Sequence, residues 1–216
     1  MPQLLNGEKT IVSLCSGTGA WERPYVEAGY NVISITLPDN DVLTYKPPKN
    51  VYGILAAPPC TMFSLARMNA KTPRDLRAGM ETVTACLNII WECQYKLEKE
   101  TAHKTTINFW AVENPYNGFL KRFIGRPAFT FQPYDFGDRY KKHTALWGHF
   151  NDPIKKSVDL NQGELELARR NSQKLPKFDS MKSKDIHPEF YGKLDQVTRR
   201  SITPPGFAKA FFESNR

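Results

Sequence analysis

Two residues of this chain are of types that make and break covalent bonds and stand where such chemistry is commonly placed. Cys60 follows two prolines in Ala56-Ala57-Pro58-Pro59-Cys60-Thr61-Met62-Phe63-Ser64, and Glu113 opens Glu113-Asn114-Pro115. A thiolate is a strong nucleophile, and a carboxylic acid near it can give a proton or hydrogen bond to the group under attack. A lone cysteine is more often a buried, inert side chain, so the assignment depends on what surrounds Cys60. A third stretch, Cys15-Ser16-Gly17-Thr18-Gly19-Ala20-Trp21, has the Gly-x-Gly spacing that brings backbone amides close to a ligand. It lacks the third glycine of a dinucleotide fingerprint. Asp39 and Asp41 suit a ribose hydroxyl or a base amino group, although aspartate at such a place also forms turns.

These residues need a scaffold, and the pattern between them predicts an α/β fold. Thr10–Leu14 reads as a buried strand, 22–29 as a helix ending at glycine, 31–37 as a second strand and 51–55 as a third. The prolines then stop the third strand, so Cys60 falls just past its C-terminal end, where open α/β sheets place their ligands. Residues 61–77 are polar, basic and aperiodic, the pattern of a mobile loop. From 78 to about 100 the spacing is helical, with Val83, Leu87, Ile90, Trp91 and Leu97 on one side and Cys86 and Cys93 in the core. A strand over 107–112 delivers Glu113-Asn114-Pro115 at its C-terminal end. Further strands are expected at 129–131 and 144–147. A polar, irregular stretch follows at about 151–200, with a short helix at 163–170, and an apolar helix over 207–213 docks on the core.

The length of 216 residues suits a single domain spanning 1–216. No apolar run reaches membrane-spanning length and no signal-peptide core is present, so a cytoplasmic protein without membrane association is expected. Cys15, Cys60, Cys86 and Cys93 show no zinc spacing, which predicts reduced thiols and no metal site. The charge of +8 (30 basic against 22 acidic residues) is unevenly placed. Residues 61–77 contain Arg67, Lys71, Arg74 and Arg77 against Asp75. Residues 119–143 contain Lys121, Arg122, Arg126, Arg139, Lys141 and Lys142 against Asp135 and Asp138. Cations interleaved with aromatic residues around the two reactive groups suit a nucleic acid.

In order and content these motifs resemble those of the DNA cytosine-5 methyltransferases. Ser16-Gly17-Thr18-Gly19 is similar to their first motif, Asp41-Val42 to the acid that binds the adenine amino group, and Pro59-Cys60 with Phe63-Ser64 to their nucleophile motif. Glu113-Asn114 is similar to the pair that handles the target base. The 139–148 segment stands where the family has Gln-x-Arg-x-Arg, and 203–207 where its last motif closes the cofactor pocket. The resemblance covers about 10–150 and 202–215. It implies a Rossmann-like, S-adenosylmethionine-dependent methyltransferase sheet with helices on both faces, acting on cytosine in DNA, in a bacterial or phage-encoded protein. Cys60 and Glu113 are then catalytic. Ser16, Gly17, Thr18, Gly19, Trp21, Asp39, Asp41 and Pro59 would bind the cofactor, and Ser64, Arg67, Asn114, Lys142 and Thr144 the substrate.

The chain departs from the family pattern at several places. Strand two runs into Thr36-Leu37-Pro38 where the family has a ribose-binding acid, which leaves Asp39 as the substitute. Tyr140-Lys141-Lys142-His143-Thr144 keeps one cation of the arginine motif and puts Thr144 at the second. The polar insert at about 151–200 replaces a large target-recognition domain, which points to a protein partner for specificity. RNA or a free nucleotide remains an alternative substrate, and a catalytically inactive nucleic-acid-binding module an alternative class. A cysteine hydrolase would need His143 or His149 to approach Cys60 in space.

Overall fold

A computed structural model describes residues 5–94, 107–155 and 192–216. The chain builds an α/β fold around one mixed sheet of six strands: β1 (Thr10–Leu14), β2 (Asn31–Ile35), β3 (Gly53–Ala56), β4 (Phe109–Pro115), β5 (Phe129–Phe131) and β6 (Thr144–His149). Their spatial order is β2-β1-β3-β4-β6-β5. The β1–β2, β1–β3 and β3–β4 pairs are parallel, whereas β6 runs antiparallel to both β4 and β5. From β1 the chain steps to β2 on one side and then to β3 on the other, so the strand order reverses between β1 and β3. In an open parallel sheet that reversal splays the connecting loops apart and leaves a crevice at the C-terminal strand ends.

Side-chain alternation divides the core into two layers. Val12, Leu14, Ile54, Ala56 and Val112 face α2 (Leu76–Gln94), which contributes Val83, Cys86, Ile89, Ile90 and Cys93. Ile11, Leu55, Phe109 and Ala111 face the other way, against Tyr25 of α1 (Arg23–Glu27) and Phe207 and Phe211 of α5 (Pro205–Ser214). That layer is aromatic: Phe131 and Phe207 stack at 3.9 Å, and Trp21 meets Phe211 edge-on at 5.4 Å. Between them, α4 (Gln196–Ser201) precedes α5, with Asp195 capping its first turn through Thr198 N at 2.7 Å.

Several boundaries differ from expectation. β3 lies two residues later at its start, and Trp91 is 46 % exposed rather than on the buried face of α2. Cys86 and Cys93 are buried as expected, while Leu97 and the 163–170 helix lie outside the described residues. The 61–77 segment was expected to lack local order. It carries a 3-10 turn (Leu65–Arg67) capped by Ser64 Oγ, and α2 already begins at Leu76. Side-chain to backbone bonds hold it, and these leave no hydrophobic period to read. The helix α4 likewise stands inside a stretch expected to be irregular. β4 runs to Pro115 because β6 pairs with Glu113, Asn114 and Pro115, beyond the point where its ladder with β3 ends at Val112.

Candidate active site

A narrow cleft opens at the C-terminal edge of the sheet, at the strand-order reversal. It is walled by Cys15–Thr18 after β1, Ala57–Cys60 after β3, Glu113 on β4, Lys142 before β6, and Arg200, Ser201 and Thr203 from α4 and the turn behind it. Cys60 and Glu113 therefore share one cavity.

The Cys60 turn is built by omission and anchorage. Ala57 N makes the last bond toward β1, to Leu14 O at 2.9 Å, and Pro58 and Pro59 supply no N–H to continue a ladder. The Cys60 carbonyl then accepts from Phe63 N (2.9 Å) and Ser64 N (2.8 Å), and the fully buried Phe63 pins that turn to the core. Burial pushes the Cys60 thiol above its ordinary value, the Glu113 carboxylate adds to the rise, and Lys142 and Arg200 oppose it. Burial also raises the Glu113 carboxyl, again opposed by Lys142. Lys142 is thus the cation common to both groups. Its Nζ donates to Ile202 O at 2.8 Å and its backbone N to Gln132 Oε1 at 3.1 Å, which holds the ammonium at the cleft wall.

Alternation along β4 sends Glu113 to the α1/α5 side with Ala111, and Asn114 to the α2 side with Val112. Asn114 was expected among the substrate-binding residues. It is fully buried and its Nδ2 donates to Pro58 O at 2.9 Å, behind the Cys60 turn. Its second polar atom, Oδ1, has no hydrogen-bond partner among the described residues.

The glycine turn is left-handed at Cys15 (φ 55°), Gly17 (φ 58°) and Gly19 (φ 71°). Gly19 N closes the turn on Ser16 O at 3.1 Å and Ser16 N reaches Ile35 O at 3.2 Å, fixing the turn to β2, while a left-handed turn of this kind can aim its remaining amides at a ligand. Beneath it, buried Glu22 accepts 2.6 Å bonds from both Ser13 and Ser34. Trp21 is 3 % exposed and its Nε1, which belongs to a cleft-lining side chain, has no partner among the described residues. The Cys15 thiol hydrogen-bonds with that of buried Cys86, which lowers the pKa of Cys15 and raises that of Cys86.

The other expected site residues divide clearly. Ser16, Gly17, Thr18, Trp21, Pro59 and Lys142 line the cleft. Gly19 sits just behind, packed against the Glu22 carboxylate. Asp39 is exposed and lines no part of the cleft, and Asp41 Oδ1 caps its own turn through Leu43 N at 2.9 Å, although it lies close enough to act on Cys15. Ser64 Oγ accepts from Ala66 N, Arg67 donates to Thr72 and Pro73, and buried Thr144 donates to Lys142 O at 2.8 Å. All three serve local structure. Sequence reasoning missed Glu22, Arg200 and Ser201; a carboxylate directly after the glycine turn was the one visible signal for the first.

With α4 in place the cleft holds about 60 Å³, close to the volume of two waters. A methyl group built on Gly17 would lie 3.9 Å from Ser201 Oγ, which shows how near α4 approaches the glycine turn. Among the described residues no cluster of His, Cys, Asp or Glu could hold a metal ion, and no helix is long and apolar enough to cross a membrane. No family model matches the chain, and no curated protein matches it.

Proposed function

We propose that this protein transfers a methyl group from S-adenosylmethionine to carbon 5 of cytosine in DNA, through a covalent bond to Cys60. The observation that carries this reading is the shared cavity: the Cys60 thiol and the Glu113 carboxyl, both pushed above their ordinary values by burial, face one cleft beside a glycine turn at the strand-order reversal. The β2-β1-β3-β4 order with helices on both faces supports a Rossmann-like methyltransferase sheet. Four free cysteines support a cytoplasmic setting.

The residues present fit the cofactor in kind. The glycine turn at Ser16–Gly19 and the unpartnered Trp21 Nε1 offer donors, and Glu22 offers a carboxylate beneath them. Ligand cavities commonly need roughly 300 Å³ or more, so α4 has to shift for a nucleoside to enter. When bound, the cofactor supplies an electrophilic methyl group.

Carbon 5 of cytosine is too weak a nucleophile to take that methyl group unaided. Attack of Cys60 Sγ on carbon 6 makes carbon 5 electron-rich. Glu113, whose pKa burial raises, acts in its protonated form, donating to ring N3 and stabilising the negative charge that the attack creates. Lys142 and Arg200 favour the thiolate that Cys60 must become. After carbon 5 is methylated, loss of its proton returns electrons to the ring and expels the Cys60 thiolate. Incubation with labelled S-adenosylmethionine and duplex DNA, single-stranded DNA, RNA or dCMP tests the reading. Transfer to cytosine that is lost in Cys60→Ser supports it, and cofactor binding without transfer to any of the four refutes it.

A further inference from the structure

The lip of the cleft nearest Cys60 carries cations seated on aromatic rings. The Arg74 and Arg122 guanidinium groups lie 4.8 Å and 4.6 Å from the centre of the Phe119 ring. The Lys121 ammonium lies 4.1 Å from that of Tyr116, which stacks on His143 at 4.2 Å. Burial keeps the His143 imidazole below its ordinary value, so at neutral pH it backs the ring as an uncharged partner. None of Arg74, Lys121 and Arg122 forms an ion pair with a carboxylate among the described residues; the pairs there are Arg77–Glu81, Lys155–Asp135 and Lys209–Glu213.

Backbone contacts fix this lip to the nucleophile turn. Phe119 N donates to Phe63 O at 2.9 Å, and Arg74 Nη1 donates to Met62 O at 2.9 Å. The chain passes closely at Gly118, where a Cβ would come 3.2 Å from Phe63 O and 3.0 Å from Pro115 O. Tyr116 N donates to His143 O at 3.0 Å, tying the other end to the approach to β6. A ring face orients a cation at little cost while leaving its outer donors free. Such donors, clustered and without a carboxylate partner, suit phosphodiester oxygens.

We infer that Arg74, Lys121 and Arg122 form a docking edge for the sugar-phosphate backbone beside the target base. The substrate of the cleft is therefore a polynucleotide, not a free nucleotide. This deepens the base-modifying reading of the cleft and rests on it for what happens to the docked base. Arg67, by contrast, turns its Nη2 back onto Thr72 and Pro73 of its own loop.

The test is fluorescence anisotropy with labelled single-stranded and duplex oligonucleotides that contain no cytosine on the bound strand, without cofactor, across a salt series. Lys121→Gln/Arg122→Gln removes two cations and leaves the Arg74–Met62 bond intact, and Arg77→Gln serves as the control because Arg77 is paired with Glu81. The double variant should bind at least one of the two forms more weakly. The slope of log Kd against log salt should shrink by about 1.5, and the control should leave both unchanged. Whichever form responds identifies the source of the phosphates. Unchanged binding and slope for both forms, with the variant melting like the parent protein, would overturn the inference. Since no methyl transfer is involved, this result is independent of whether the cleft is a methyltransferase.

Discussion

Asn114 Nδ2 donates to the Pro58 carbonyl at 2.9 Å, so the strand that presents Glu113 also holds the turn that presents Cys60. Asn114 is fully buried, so this bond ties the two segments together from inside the core. In Asn114→Ala the bond is lost and Pro58 O is left without its partner. We expect destabilisation of about 1–3 kcal/mol, read from denaturant midpoints at constant m-value. Methyl transfer should fall, through a lower kcat, while the affinity for S-adenosylmethionine stays unchanged. A loss confined to cofactor affinity would contradict the positioning role.

Glu113 gives a pH signature. Its folded-state pKa lies above the usual 4.5, so its contribution to stability is complete below that value and declines as pH rises through the folded pKa. Gln cannot titrate. Glu113→Gln should therefore gain melting temperature relative to the parent protein as pH rises past 4.5, level off above the folded pKa, and be inactive throughout. Parallel melting curves across that range would show that the carboxyl is not perturbed.

The thiols should differ in reactivity. Cys15 is half-buried with its pKa lowered by the Cys86 thiol, Cys60 is half-buried with its pKa raised by burial, and Cys86 and Cys93 are buried. Iodoacetamide near neutral pH should label Cys15 first, Cys60 slowly and with a steep rise toward alkaline pH, and the other two only on unfolding. Peptide mass spectrometry gives the order. Labelling of Cys60 ahead of Cys15 in the free protein would mean that Lys142 and Arg200 outweigh burial.

Much of this was legible in the sequence, for reasons that differ from element to element. The strands ending at Leu14 and Ala56 show as short apolar runs stopped by a glycine turn or by prolines, and the two ends meet because those runs are neighbours in the sheet. The side on which each site residue points was not legible. Glu113 and Asn114 are adjacent in sequence yet face opposite layers of the core, because β4 continues as a strand where β6 pairs with it. The local hydrogen bonds of Ser64 Oγ with Ala66 N and of Arg67 Nη2 with Thr72 likewise leave no periodic mark in the sequence. The long-range pairing of Lys142 with Ile202 O spans a gap in sequence that no periodicity marks.

That pairing also bears on entry to the cleft. With Arg200 and Ser201 lining a cavity of about 60 Å³, the proposed reading predicts that α4 moves away from the glycine turn when S-adenosylmethionine binds. Amide hydrogen exchange in 198–203 should change on addition of S-adenosylmethionine or S-adenosylhomocysteine, together with that of 16–19, while the β1 and β3 amides stay protected. Exchange that changes at the glycine turn alone would place the cofactor without displacement of α4.

The central claim is that Cys60 bonds covalently to a cytosine held by Glu113, and substrate trapping tests it most directly. Oligonucleotides carrying 5-fluorocytosine, incubated with the protein and S-adenosylmethionine, cannot lose fluorine from carbon 5 and so should leave a stable adduct. Mass spectrometry should locate that adduct on Cys60, and Cys60→Ser should yield none. An adduct that persists in Cys60→Ser, or methylated cytosine formed by that variant, would contradict the account.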